Sequence, residues 1–483
     1  MTHERRLPST LLLVLLVSLA VRVALCVKGG QLLFPDETLY YRGVALGQSL
    51  AKGDIKEGLR RALEQDAHVG FTAMSLPPAL AQYVASAITH VPTSRNLWIA
   101  AAFFSLVSVG CVFLVFVVAR RAGADEREAL IAAALLAASS TLTVWSRHLS
   151  PYDAALFFNL WAIAIGLSAE RSAWRWTAAG FAAAMGLMTY NGVWAGTAVV
   201  LILLVLYRAR STREAIVRGL LAAGGFALLV MLIHVVSIAV GAFPFVKSLT
   251  RFSGRISEGD MREGWSLPWA FLWHAEHGVL LVWLGGAVLA LFNARRLDPS
   301  ARMRTHLWIA MAAGVYVLLV VGSVGAGRFV VHGRSVHPLL PFLCLAAATG
   351  FRSLTWPPRR RVLAWSAAAL VVIQVGWNLR IPLQQTFPSD FRERALARYP
   401  SAAVAYSIDV GHNVVPADAR YLLVNADYLY PVRGLAALPR SEQLMSAPHP
   451  QAYLPYQYEG FTPSERAFFR AEDLTMRVDR VLR

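Results

Sequence analysis

The residues best equipped for chemistry are Asp36 and Glu37, in the stretch Phe34-Pro35-Asp36-Glu37-Thr38-Leu39-Tyr40-Tyr41 that follows the first hydrophobic run. Adjacent carboxylates there have two readings. Proline and acids suit the first turn of a helix, where negative charge offsets the positive end of the helix dipole. A carboxylate at the mouth of a membrane segment could also take the proton from an attacking hydroxyl. A second group is Trp145-Ser146-Arg147-His148-Leu149-Ser150-Pro151-Tyr152-Asp153. Asp153 opens the next hydrophobic run, so it reads as a helix-start acid or a functional carboxylate. Arg147 reads as an interface anchor or a substrate contact. The third group holds Arg328, His332, Arg334 and His337, just before and in the first turn of a late hydrophobic run. Arginines at a membrane boundary can grip the oxygens of a lipid phosphate bidentately. The plainer alternative is a solvated loop. The two histidines lack the tight spacing of a metal motif, so no metal ligands are assigned.

The elements that position these groups are membrane helices. The chain has 483 residues, is 56% hydrophobic and carries a net charge of +17, and its mean hydropathy is +0.49. Repeated runs of nearly the roughly 20 apolar residues that cross a bilayer exclude a soluble enzyme. Hydropathy gives about eleven spans: 11–27, 97–118, 129–145, 154–169, 176–190, 193–207, 219–240, 271–292, 307–322, 335–350 and 362–379. Only Asn191-Gly192 parts 176–190 from 193–207, so those two also read as one kinked or re-entrant unit. Arg22 interrupts the first run near its outer end and reads as a snorkelling side chain or a phosphate contact at the surface. Between spans, residues 28–96 form a long loop. Glu37 to Lys52 reads there as a surface helix ended by Gly53-Asp54. Pro77-Pro78 reads as a break before an interfacial helix at 79–89. The 241–270 loop, rich in both charges, reads as mobile surface able to cover a lipid headgroup. Cys26, Cys111 and Cys344 read as small buried apolar residues.

Charge sets the orientation. The basic balance could indicate nucleic acid, but the arginines cluster in short loops between hydrophobic runs. Loops 119–128, 170–175, 208–218, 293–306 and 351–361 carry most of them, among them Arg120, Arg121, Arg359, Arg360 and Arg361. This is the positive-inside pattern, and it places the N-terminus inside and the acidic pair outside. Residues 381–483 are more polar, with a strand-like Tyr421-Leu422-Leu423-Val424 and a helical-looking stretch from Pro463 to Arg477. They read as a small outer α/β domain. The fold class is thus an all-α polytopic membrane domain, 1–380, with a small extracytoplasmic α/β domain, 381–483. Outer carboxylates beside outer cations, next to a membrane-buried path, would suit sugar transfer from a lipid phosphate. A polytopic transporter or flippase is the alternative reading, with His234 in the run 219–240 as its best candidate.

The same residues resemble the glycosyltransferase C (GT-C) superfamily, in the branch of the protein O-mannosyltransferases and lipid A aminoarabinose transferases. The resemblance rests on Phe34-Pro35-Asp36-Glu37 with Tyr40 after the first span, and on Leu76-Pro77-Pro78-Ala79-Leu80 followed by Arg95. It also rests on Arg334 to Pro341, ending His337-Pro338-Leu339-Leu340-Pro341. It covers most of residues 8–380. Leu76 departs from relatives that carry lysine or histidine there, and His68 could compensate. The resemblance implies a GT-C fold and an inverting transfer from a polyprenyl-phosphate monosaccharide on the outer membrane face. It matches Asp36 to the catalytic carboxylate, Glu37 to its acceptor-side neighbour and Asp153 to a second outer-loop acid. It assigns Arg328 and Arg334 to the donor phosphate. Tyr40, Arg147 and His337 are read as further candidate substrate contacts. The partners implied are the donor lipid and a glycan, lipid or protein acceptor, with no nucleic acid. No cofactor is fixed, and a divalent metal stays open. The short 241–270 loop holds no inserted lumenal domain, which points to a bacterial inner membrane.

Overall fold

The computed structural model describes residues 8–31, 37, 40, 41–64, 71–92, 96–168, 172–207, 209–257, 265–325, 333–354, 358–384, 386–404, 418–424, 426, 440–449 and 475–482. The apolar runs fold as helices. The first are α1 (Ser9–Val27), α2 (Tyr41–Ala51), α3 (Ile55–Leu63), α4 (Phe71–Thr89), α5 (Leu97–Arg121) and α6 (Glu126–Ala137). There follow α7 (Ser140–Ser146), α8 (Tyr152–Leu167), α9 (Ala173–Thr189), α10 (Trp194–Leu206), α11 (Thr212–Ala239) and α12 (Phe245–Ser257). The last are α13 (Leu267–Glu276), α14 (Gly278–Phe292), α15 (Pro299–Val320), α16 (Leu340–Ser353), α17 (Pro358–Gln384) and α18 (Pro388–Arg398). Side-chain caps set several starts. Asp54, Asp125, Ser139, Ser211 and Asp298 each accept a backbone N–H three residues on, satisfying donors that have no partner within the helix.

The protein is a mostly helical, multi-pass membrane protein, but the eleven-span reading is too simple. Among the described residues four helices, α1, α5, α11 and α15 with its extension to Gly325, are long and apolar enough to cross alone. Two bent pairs raise this to six: α6 with α7, at 59°, and α13 with α14, at 117°. Hydropathy windows register apolar length and are blind to such breaks. The run 129–145 breaks where Ser139 caps α7, and 271–292 breaks at His277, whose φ is +45°. Asn191–Val193 forms a 3₁₀ turn between α9 and α10, so these two stay separate short helices. The prolines also mislead, because α4 runs unbroken through Pro77 and Pro78. Glycines explain the packing that holds it. A methyl on Gly43 of α2 would come within 2.5 Å of Ala79 Cβ, and one on Gly47 within 2.6 Å of Tyr83. The 241–270 segment likewise contains α12, whose Phe245 and Ser248 are buried.

The main core joins α5, α6, α8, α14, α15 and α16, with Trp283, Trp308 and Cys344 fully buried. All three cysteines are free and buried, as their positions in apolar runs implied. At the end of the bundle holding the 119–128 loop, Arg304 donates to Glu128 at 3.0 Å and Thr349 to the same carboxylate at 2.7 Å, tying α15 and α16 to α6. After α18, four strands form a sheet in the order β1-β2-β4-β3: β1 (Ala403–Val404), β2 (Tyr421–Val424), β3 (Ser441–Pro448) and β4 (Thr475–Val481). The strand expected at 421–424 is β2. The helix expected from Pro463 to Arg477 ends differently: 463–474 lie outside the described residues, and Thr475 to Arg477 belong to β4. Alternation of buried Met476 and Val478 with more exposed neighbours marks that segment as a sheet strand.

Candidate active site

The site is built on α7, the turn after it, and the start of α8. Glu276, a buried acid at the end of α13, fixes the start of α7. Its carboxylate accepts from Ser139 Oγ at 2.7 Å, Thr141 N at 2.9 Å and Ser140 N at 2.9 Å. At the other end of α7, the Ser146 carbonyl accepts from Ser105 Oγ of α5 at 3.0 Å, and Ser105 also meets Cys26 Sγ of α1 at 3.0 Å. Three helices therefore hold the turn that follows.

Two buried carboxylates meet that turn. Glu37 is buried, and its Oε1 accepts the Leu149 N–H at 2.7 Å and lies 3.1 Å from His148 Nδ1. Burial pushes the His148 imidazole below its ordinary pKa, and the adjacent Glu37 carboxylate opposes that shift. Asp153, in the first turn of α8, is equally buried, and His337 Nε2 lies 3.5 Å from its Oδ1. His337 comes from a short 3₁₀ helix, Gly333–Leu339, that leads into α16. Aromatic rings wall the cluster. Tyr152 lies 4.8 Å from Trp145 and 4.9 Å from Tyr190, and Trp145 lies 6.1 Å from His337.

Arg147, in the same turn, binds two backbone carbonyls and a ring. Its Nε donates to the Gly29 carbonyl at 3.2 Å and Nη1 to the Pro382 carbonyl at 3.1 Å, while its guanidinium covers the Phe387 ring at 4.3 Å. It thereby joins the loop after α1 to the end of α17 and the start of α18. Nearby Asp390 is pushed up by burial, with Arg147 opposing. Tyr40 is buried beside Tyr41, with ring centroids 4.3 Å apart. Asp36, Arg328, His332, His68 and Arg95 lie outside the described residues, as does the side chain of Arg334. Glu37, Arg147, Asp153 and His337 are therefore gathered around one turn. Sequence reasoning missed Glu276, although a lone acid in the apolar stretch 267–292 is a usable signal. It also missed Gln31, which donates to the Cys26 carbonyl at 2.9 Å and the Arg147 carbonyl at 3.3 Å. His234 lies near the C-terminal end of α11 and accepts from Val246 N at 3.4 Å, anchoring α12.

Arg22 does not snorkel. It is buried, donating through Nε to Ser108 Oγ at 3.2 Å and through Nη1 to Ser18. It stands with Ser18 and Thr143 among the polar residues of an otherwise apolar groove of about 620 Å³. Leu13, Val17 and Val21 of α1, Ala134 of α6, and Ala368 and Val372 of α17 line the rest. Thr143 belongs to α7, so the groove abuts the helix that carries the site. Among the described residues no group of three or more His, Cys, Asp or Glu side chains is placed to hold a metal ion.

Among solved structures the chain is similar in fold to ArnT from Cupriavidus metallidurans bound to undecaprenyl phosphate. The TM-score is 0.50 at 16% identity, over 74% of this chain and 63% of that one. It also matches ArnT from the same organism in the apo state, with TM-score 0.47 and 17% identity over 72% of this chain and 60% of that one. A third match is the archaeal oligosaccharyltransferase AglB from Archaeoglobus fulgidus in complex with an inhibitory peptide and a dolichol-phosphate. Its TM-score is 0.46 at 12% identity, over 76% of this chain and 55% of that one. This chain thus spans less than two thirds of the ArnT length. No protein-family model and no curated protein matches the sequence. The shared feature is the fold, which this chain and ArnT have in common over about three quarters of this chain.

Proposed function

We propose that this protein is a membrane glycosyltransferase that moves a monosaccharide from a polyprenyl-phosphate-linked donor to an acceptor hydroxyl, with inversion at the anomeric carbon. The observation that carries the reading is the meeting of Glu37, His148, Asp153 and His337 around one turn beside an apolar groove. The fold shared with ArnT, which was solved with undecaprenyl phosphate, supports a lipid phosphate as the donor's carrier. The arginine distribution supports an outer-face reaction with the 381–483 domain outside. The family resemblance makes the helical domain 1–380 catalytic, and the short 241–270 loop favours a bacterial inner membrane.

In this reading the acceptor oxygen bonds to the anomeric carbon as the bond from that carbon to the phosphate oxygen breaks. The acceptor proton passes to Asp36, and polyprenyl phosphate departs with the bonding electrons. Phosphate is a good leaving group, so no dedicated acid is required. Glu37, pinned by His148 and the Leu149 N–H, orients the acceptor side. Asp153 supplies a second carboxylate, and Arg328 and Arg334 hold the donor phosphate. Tyr40, Arg147 and His337 shape the donor pocket. A glycan, lipid or protein hydroxyl would serve as acceptor.

The test is transfer of labelled sugar from membrane polyprenyl-phosphate donors, comparing wild type with Asp36→Asn at matched expression. Loss of a general base should lower turnover by about 10²–10⁴-fold while donor binding is kept. Equal transfer by both removes Asp36 as the base and turns attention to Asp153. Absence of turnover in wild type across a broad donor panel overturns the transferase reading.

A further inference from the structure

A cation inside a membrane helix calls for a partner. Arg22 lies five residues before the end of α1, about 7 Å below it at 1.5 Å per residue. Its hydrogen bonds go to Ser18 and Ser108, and Nη2 has no hydrogen-bond partner. One turn further along α5 from Ser108, Cys111 contacts the Asp153 backbone, which sets Asp153 next to the Arg22–Ser108 pair, and neither Asp153 carboxyl oxygen has a hydrogen-bond partner. Arg22, Ser108, Asp153 and His337 come from α1, α5, α8 and the 333–339 helix, and all four are buried.

The groups facing Asp153 can be named element by element. From α1 comes Arg22. From α5 come Ser108 and Cys111, whose thiol donates to the Asp153 carbonyl at 3.2 Å. From the 333–339 helix comes His337, 3.5 Å from Oδ1. Of these only Arg22 carries a fixed positive charge, since arginine keeps its proton in proteins. A buried carboxylate with no close hydrogen bond to either oxygen needs such a charge to stay ionised.

We infer that Arg22 is a positioning residue for Asp153, favouring the charged form of its buried carboxyl across the Ser108–Cys111 turn of α5. The inference rests on the reading of Asp153 as a site carboxylate. It assigns a role in the outer-face site to a residue of the first membrane helix that touches no substrate.

The experiment is an infrared pH titration of the purified full chain in lipid nanodiscs. The carboxylic C=O band of Asp153 is identified by its loss in Asp153→Asn. In Arg22→Gln the midpoint of that band should move up by about one pH unit or more, as expected for loss of a nearby opposite charge. Arg22→Lys should restore the wild-type midpoint, and Ser108→Ala should shift it part of the way. A purely structural role would lower the melting temperature and leave the midpoint in place, and that outcome overturns the inference. Should Arg22→Gln fail to fold, a wild-type midpoint in Ser108→Ala overturns it instead. Sugar transfer is measured on the same samples. A shifted band without turnover in wild type keeps the role of Arg22 and removes the transferase reading. Turnover with an unmoved band does the reverse.

Discussion

Glu276 links the apolar core of the protein to its chemistry through three hydrogen bonds to the start of α7. In Glu276→Gln the amide end offers one acceptor where the carboxylate offers two, so at least one donor of the 139–141 segment loses its partner. The expected loss is about 1–3 kcal/mol for a buried group left unmatched. It would be read as a lower melting temperature in detergent, with transfer activity falling at temperatures where the protein is still folded. An unchanged melting temperature would mean that water replaces the lost bond. His148 gives a prediction in pH. An unfolded histidine titrates near ~6.5, whereas burial lowers the folded value. Below that pH the unfolded chain binds a proton that the folded chain resists, so stability is present above ~6.5 and drains away as pH falls. Wild type should therefore lose melting temperature between pH 7 and 5 more steeply than His148→Gln. Parallel curves would assign the acid sensitivity to other groups.

At the scale of elements, the sequence announced apolar length and missed where helices bend or persist. Glu37, the 145–153 turn and His337 were legible because polar residues stand out between apolar runs. The union of Glu37 with His148 spans 111 positions of chain and is created by packing, which no local pattern encodes. The unbroken α4 has the same origin. Local rules give Pro77-Pro78 as a breaker, and close contact with Gly43 and Gly47 of α2 overrides them. Glycines do comparable service between α9 and α11. A methyl on Gly180 would overlap the backbone of Ala222, and one on Gly225 would overlap that of Thr177, whereas one on neighbouring Gly224 would meet nothing within 4 Å. Gly180→Ala and Gly225→Ala should each cost about 1–3 kcal/mol through forced helix separation. Gly224→Ala should be neutral or slightly stabilising, since alanine favours the helix. Melting temperatures of the three variants check this, and a destabilised Gly224→Ala would contradict the packing assigned here.

At the scale of the whole molecule, the first and last long helices of the membrane domain, α1 and α17, face one groove together with α6. Its walls are apolar along about 14 Å of α1, from Leu13 to Arg22, and its polar residues include Thr143 of the helix that carries the site. A lipid-borne substrate with its chain in this groove would present its head beside that helix. Ala134 lies on the apolar wall, away from Arg22 in the chain, and its small side chain leaves space that Ala134→Trp would fill. Excluding about two methylene units from burial removes about 1.6 kcal/mol, at roughly 0.8 kcal/mol each, which corresponds to a KM higher by somewhat more than tenfold. The effect should appear with long-chain polyprenyl-phosphate donors and shrink with a donor too short to reach Ala134, while the melting temperature stays near that of wild type. An equal loss with long and short donors would mean that the tryptophan disturbs the site through α7. No loss with either would place the donor chain elsewhere on the membrane face, with the 750 Å³ apolar cleft between α10 and α11 as the next surface to block.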